Sequence, residues 1–354
     1  MNYIELQTEA LPRLRAVGEA VRDEVCSLWR PGEGALRQAL PLDGVAAESL
    51  DDTLYRIDLV VEKRLLAACE EWAEEEGPFF LVAEGLHHGG LMLPSEAPAD
   101  EARFIVIVDP VDGTRGLMVD KRSAWFLGAA APIVSRDSTG RPAATLSDIV
   151  CACQVELPRT KQYLADVLWA SVDEEGFGAE RVNVLTGEAA PVTLAPSRAE
   201  TLDHGFASVV KYFPGTKAVA VKIEQAVFAA CSTEADPGKA RVFDDQYIST
   251  GGQLCELIAG HDRLVIDLRP VLDALSGTKR PGLAAHPYDA CTELIARKAG
   301  VTVGGVDGNP LTNPLNVTDP VAWIGAANRP LFDKAHRALT RELERLRAGG
   351  STGK

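Results

Sequence analysis

Phe104-Ile105-Val106-Ile107-Val108-Asp109-Pro110-Val111-Asp112-Gly113-Thr114-Arg115-Gly116 is the stretch on which the reading of this chain turns. The apolar, mostly β-branched run predicts a buried strand. It ends in a carboxylate, a proline, a second carboxylate, a glycine and a hydroxyl. Strand ends are where α/β enzymes place their chemistry. Two aspartates so close together repel each other unless a cation sits between them. The glycine allows a sharp turn that presents backbone N–H groups to an anion. The segment therefore predicts a divalent-metal site beside a phosphate site.

Around this segment the periodicity is that of a mixed α/β protein. Leu11, Leu14, Val17, Val21, Val25 and Leu28 predict a helix over about 8–30, and Leu54, Ile57, Val61, Leu65, Leu66 and Cys69 a second over about 53–75. The stretch 34–49 reads as a loop. Phe79 to Ala83 predicts a short strand leading to Glu84, and the Gly-, His- and Pro-rich stretch from Gly85 to Ala102 a mobile loop. Strands follow at about 125–134, 149–154 and 167–172, with Asp173-Glu174-Glu175-Gly176 as a turn. Cys151-Ala152-Cys153 reads as strand residues facing opposite sides, not as a soft-metal pair.

Near residues 195–203 the texture changes to alternating helices and strands. Helices are predicted at about 219–230, 248–259, 289–299 and 331–348, and strands at about 207–210 and 263–268. This order suits two sub-domains, 1–198 and 199–348, with stacked layers of helix and sheet and a flexible tail at 349–354.

Composition narrows the function classes. The chain has 354 residues and a formal charge of 36 − 51 = −15 with histidine neutral, so no basic excess exists to displace counterions from a nucleic-acid backbone. No basic-then-apolar leader and no long apolar run are present, which predicts neither a signal peptide nor a membrane span. Seven cysteines without framework spacing predict reduced thiols and a cytoplasmic setting.

Asp109 to Thr114 match in full the Asp-Pro-x-Asp-Gly-Thr/Ser pattern of the inositol monophosphatase family, and the chain resembles that family from about Leu11 to Ala348. The family is a branch of the lithium-sensitive, magnesium-dependent phosphatases, which also include fructose-1,6-bisphosphatases and nucleotide 3′-phosphatases. Further similar elements occur in order. Glu84 stands after a strand, Asp58 lies in a helical Tyr55-Arg56-Ile57-Asp58 segment, and Tyr288-Asp289-Ala290 resembles the family's Trp-Asp-x-Ala segment. Gly251-Gly252-Gln253-Leu254 resembles its Gly-Ser-Ala-Ala segment lining the substrate pocket.

The resemblance implies an α/β (α+β) fold, a five-layer α/β/α/β/α sandwich, and a homodimer. It implies magnesium, with manganese as a substitute, at two or three ions per site. Glu84, Asp109 and the Val111 carbonyl would hold one ion, and Asp109, Asp112 and Asp289 a second. The Gly113 and Thr114 N–H groups would bind phosphate oxygens, with Arg115 beside the substrate. Asp58, through Thr114, would orient and deprotonate the attacking water, and Glu84 would assist. The implied reaction is hydrolysis of a small phosphorylated metabolite. Its rivals are a 3′(2′),5′-bisphosphate nucleotidase, a fructose-1,6-bisphosphatase, or a non-catalytic metal- and phosphate-binding regulatory protein.

On the residues alone, Asp289 could equally be a helix N-cap, Asp58 an exposed helix carboxylate, and Glu84 a surface residue. Asp120-Lys121-Arg122 reads as a solvated loop or a contact to a second anionic group, Lys211 and Lys217 as surface residues or contacts at the substrate mouth, and His87-His88 as surface residues. The chain departs from the family in having Glu84-Gly85 for two glutamates, Tyr288 for tryptophan, and Arg115-Gly116-Leu117 for Thr-Asn-Phe.

Overall fold

A computed structural model describes residues 3–29, 45–48, 53–86, 89–233, 240–277 and 283–350. Helix α1 (Tyr3–Trp29) and helix α2 (Arg56–Glu76) flank a short antiparallel pair, β1 (Val45–Glu48) and β2 (Thr53–Tyr55). Leu6, Ala10, Leu14, Val17, Val21, Val25 and Leu28 recur at three- and four-residue spacing along α1, and all are buried.

The first sheet is built from β3 (Phe79–Ala83), β4 (Leu91–Leu93), β5 (Phe104–Asp112), β6 (Ala124–Pro132), β9 (Cys151–Leu157), β10 (Leu164–Ser171), β11 (Gly178–Asn183) and β12 (Ala189–Pro191). Its eight strands lie in the order β12-β11-β10-β9-β6-β5-β3-β4, antiparallel except for β3 beside β5. A one-turn helix, α3 (Thr114–Met118), follows β5, and β7 (Ser135–Arg136) pairs with β8 (Pro142–Ala143) in a separate hairpin.

The second sheet has five strands in the order β14-β13-β15-β17-β16. They are β13 (Gly205–Val209), β14 (Val242–Phe243), β15 (Asp262–Asp267), β16 (Thr302–Gly305) and β17 (Trp323–Ala326). The helices of this half are α4 (Lys217–Cys231), α5 (Thr250–Ile258), α6 (Arg269–Ser276), α7 (Pro287–Ala290), α8 (Glu293–Ala299) and α9 (Arg329–Gly350).

Strand alternation assigns the layers. Phe104, Val106 and Val108 face a core shared with α1 and α2, while Ile105 and Ile107 face a second core shared with α5, α7 and α8. On β15, Val265 faces that same second core, whereas Leu264 and Ile266 face a third one shared with α4, α6 and α9. The result is five layers, α/β/α/β/α, as the resemblance implies. Because both faces of β5 are covered, every residue from Phe104 to Asp112 is buried. That is why its sequence is a continuous apolar run without polar alternation.

Several expectations need correction. The stretch 85–102 is not simply a loop: Leu91–Leu93 pairs with β3 as an edge strand and Leu93 is buried. The expected helix at 289–299 is two pieces, α7 and α8, separated at Cys291 and Thr292. The Val45–Glu48 strand interrupts the loop expected at 34–49. Helix α9 runs to Gly350, past the expected start of the tail. Cys151 and Cys153 face the same core and only Ala152 faces the other, as residues two apart on a strand must. His87-His88, the remainder of the 34–49 loop, residues 278–282 and the tail from 351 lie outside the described residues. No described helix is long and apolar enough to cross a membrane.

Helix α1 sits close to the first sheet at Gly18, where an added Cβ would lie 2.5 Å from Phe126 Cδ1 and 2.7 Å from Val155 Cγ2. Gly18→Ala gains up to about 1 kcal/mol of helix propensity. It also overpacks a buried ring, at a cost of about 1–3 kcal/mol. The substitution is therefore predicted to lower the urea midpoint without changing the slope of the transition; a raised midpoint would contradict this packing.

Candidate active site

The pleat of β5 would normally turn Asp109 and Asp112 to opposite faces, because residues three apart on a regular strand point opposite ways. The register prevents this. Asp109 lies opposite Leu127 and Asp112 opposite Trp125, so β5 carries an extra residue there. This bulge reverses the parity and lets both carboxylates reach one side. Asp289 arrives from α7 in the middle layer. Asp109, Asp112 and Asp289 then present oxygens that all lie within 4.8 Å of one another.

Each carboxylate is held differently. Asp109, 1 % exposed, accepts from Val111 N–H at 3.0 Å through Oδ1. Burial pushes its carboxyl well above the usual range, and the charges of Glu84, Asp112 and Asp289 push it further. Glu84 follows β3, and its charge reaches Asp109 although it stands outside the close group of three.

Asp112 caps the start of α5. Its Oδ2 accepts from Ser249 Oγ at 2.8 Å and Gly251 N–H at 2.6 Å, and its Oδ1 from Thr250 N–H at 3.3 Å. Burial raises its pKa to about 6, while these helix N–H groups, the Ser249 hydroxyl and the Arg269 charge all act to lower it. Ser249 Oγ also accepts from Gly252 N–H at 2.8 Å, so its hydroxyl both caps the helix and holds the carboxylate. Gly251 is required for close approach: an added Cβ would lie 2.4 Å from Leu127 Cδ2 and 3.1 Å from Asp112 Oδ2.

Asp289 is not the N-cap of its helix. His286 is the cap, and Asp289, three residues on, accepts from His286 N–H at 2.6 Å in a capping box. Its side chain keeps 17 % exposure, so water reaches the cluster from this side. Burial raises its pKa, followed by the charges of Asp112 and Glu84.

Beside the carboxylates lies the turn into α3. Gly113 has φ 97°, the left-handed region that favours glycine. Hydrogen bonding within α3 begins with Gly116 N–H to Gly113 C=O at 2.9 Å, which leaves the Gly113 and Thr114 N–H groups outside the helix's own bonds. Thr114 Oγ1 lies 3.2 Å from Asp58 Oδ1 on α2 and 2.8 Å from the Val111 carbonyl. It has one hydrogen and two acceptors, so a cation on the Val111 carbonyl would turn the hydroxyl toward Asp58. Arg115 is half-buried on α3.

The other flagged charges are engaged in the fold. Asp120 accepts from Thr160 N–H and Oγ1, Arg122 pairs with Asp245 and stacks over Tyr247, and Lys211 pairs with Glu224 and Asp244. Lys217 is exposed.

Two further groups escape the sequence reading. Arg269 on α6 forms a double hydrogen bond with the fully buried Asp267, and its charge lowers the pKa values of both Asp112 and Asp289. Asp267 ends a Leu264-Val265-Ile266 run just as Asp109 ends its own strand, a signal available in the sequence. Ser249, a cap residue directly before the Gly251-Gly252 helix, is another.

The donor set fits a small, hard divalent cation. It offers carboxylate and carbonyl oxygens, converging and buried, with excess negative charge. A cation must displace the protons held by the raised carboxylates, and this fixes the pH dependence. Asp112 binds a proton more tightly in the folded chain (about 6) than in the unfolded one, so the stability it contributes without metal is lost as pH rises through that value. Asp109 and Asp289 shift in the same direction. The gain in Tm on adding excess magnesium is therefore predicted to be small at about pH 5 and larger at about pH 7.5. A gain independent of pH would contradict this.

No protein-family model matches the chain, and no curated protein matches it either. Solved structures do. Fructose-1,6-bisphosphatase from Leishmania major in its holo form superposes with a TM-score of 0.62 at 11 % identity, over 94 % of this chain and 92 % of that one. The extragenic suppressor protein SuhB of Bartonella henselae gives 0.59 at 14 % identity, over 94 % and 98 %. An IMPase from Thermotoga maritima gives 0.56 at 15 % identity, over 94 % and 96 %. Identity is low while coverage is nearly complete in both directions, so the likeness is one of whole-chain architecture: this protein has the inositol monophosphatase fold.

Proposed function

We propose that this chain is a phosphatase that hydrolyses a small phosphate monoester with the help of magnesium. The observation that carries the reading is the buried group Asp109, Asp112 and Asp289, next to a turn whose N–H groups are not used by its helix. Two of the similar structures are named as phosphatases, a fructose-1,6-bisphosphatase and an IMPase, which supports the same class here.

In this proposal Glu84, Asp109 and the Val111 carbonyl hold one ion, and Asp109, Asp112 and Asp289 another, with a third near Glu84 as a weaker site. Such ions supply a more acidic water and neutralise charge on a transferring phosphoryl group. The chain's own residues do the rest. The Gly113 and Thr114 N–H groups orient the phosphate oxygens, a role that backbone donors in a turn suit well. Thr114 Oγ1 and Asp58 align the attacking water, and Asp58 takes its proton through the threonine hydroxyl. No side chain is required as a covalent nucleophile.

The substrate is a small phosphorylated metabolite. A doubly anionic one, such as a sugar bisphosphate or a nucleoside bisphosphate, draws less support than the sequence suggested, since Arg122 is already paired with Asp245. Arg115, directly after Thr114 in the sequence, stays the candidate substrate contact.

The test is release of inorganic phosphate from inositol phosphates, sugar phosphates and a nucleoside 3′,5′-bisphosphate, with magnesium and with chelator. Magnesium-dependent release from at least one is the predicted result. Asp109→Asn is predicted to abolish it together with metal binding. Thr114→Ala is predicted to lower kcat by about 10²–10⁴-fold with the fold intact. Full activity of Asp109→Asn would overturn the metal assignment. Metal binding without release from any ester would favour a non-catalytic binding protein.

A further inference from the structure

One polar side chain in the middle of the molecule belongs to none of the roles above. Gln154 lies on β9, faces Leu127 on one neighbouring strand and Leu168 on the other, and is fully buried. An amide in such a place is costly unless its donor and acceptor are both satisfied, and an apolar side chain of equal length would fill the space without that burden.

Both ends of this amide lead to a carboxylate of the cluster. Its Nε2 donates to the Gly251 carbonyl at 2.7 Å, and the N–H of the same glycine donates to Asp112 Oδ2 at 2.6 Å. Its Oε1 accepts from Thr292 Oγ1 at 3.3 Å. Thr292, also fully buried, sits in the break between α7, which carries Asp289, and α8. The path Asp112–Gly251–Gln154–Thr292–α7–Asp289 therefore fastens the starts of two middle-layer helices to one residue of the first sheet. It also gives the break in the expected 289–299 helix a purpose, because that break is where the threonine hydroxyl turns inward.

We propose that Gln154 is a positioning residue for the candidate metal centre, fixing the separation of Asp112 and Asp289 without touching either. The inference rests on the metal-site reading above. Groups that hydrogen-bond a metal ligand directly typically change metal affinity by 10–100-fold when lost, and Gln154 holds one such group, Gly251.

The test uses the full chain and magnesium or manganese titrated by calorimetry, with thermal unfolding followed in parallel. Gln154→Met keeps the length and removes both hydrogen bonds; its metal affinity is predicted to fall by about 10-fold or more. Val265→Ala, buried in the same core but off this path, is predicted to lower Tm while leaving affinity unchanged. Thr292→Ser keeps the hydroxyl and is predicted to retain wild-type affinity, whereas Thr292→Val loses part of it; this pair decides the question if Gln154→Met does not fold. Wild-type affinity in Gln154→Met, with a lowered Tm, would show a purely structural amide and overturn the proposal. If the wild-type chain itself binds neither metal, the metal-site reading fails and the positioning role falls with it.

Discussion

Mutual repulsion among buried carboxylates is the constraint around which this molecule is arranged. Asp109, Asp112 and Asp289 bring oxygens within 4.8 Å of one another. At an effective dielectric of about 20, two unit charges at that distance repel by roughly 3 kcal/mol, and a group of three contains three such pairs. A single charge-assisted hydrogen bond returns only about 1.5–3 kcal/mol. Burial first, and this repulsion after it, raise the pKa values of Asp109 and Asp289, and the described hydrogen bonds to them are too few to offset the two. Asp112 is the exception. It has the start of α5 and the Ser249 hydroxyl, so its upward shift is limited to about 6. A divalent cation relieves the whole group at once, and the protons it displaces make its binding pH-dependent.

The five-layer architecture is the means of bringing these groups together. The first sheet supplies Glu84 at the end of β3 and Asp109 and Asp112 at the end of β5. The middle layer supplies Asp289 and the N–H groups that hold Asp112. The second sheet packs against that middle layer through Val303 and Trp323. Arg269, held by Asp267 at the end of β15, places a positive charge behind Asp112 and Asp289. Each sheet therefore ends in a carboxylate that serves the site, one set as direct ligand candidates and the other through an ion pair.

Local patterns made much of this legible in the sequence. The buried run before Asp109, the Asp-Pro-x-Asp-Gly-Thr motif and the apolar spacing of α1 are statements about neighbouring residues, and the structure agrees with each. What escaped depends on register or on contacts distant in sequence. Nothing in a one-dimensional pattern announces that an extra residue between Asp109 and Asp112 turns both to one side. The alternative of Asp289 as an N-cap misses by three positions, since His286 fills that place and the aspartate reaches back to it. The Gly251-Gly252 pair reads in the sequence as a site of close approach without naming what approaches; in the structure Leu127 and Asp112 crowd Gly251, and the Tyr247 ring crowds Gly252. Strands β16 and β17 are short and carry glycines, so their period gives little signal, and β4 was hidden in a stretch whose composition suggests a loop.

The most direct measurement is diffraction from crystals soaked in manganese, with data collected where manganese scatters anomalously. The account predicts at least one strong anomalous peak within coordinating distance of Asp109, Asp112 and Asp289, lost in Asp109→Asn. A manganese-soaked crystal with no peak there, or with peaks only on surface carboxylates, would contradict it.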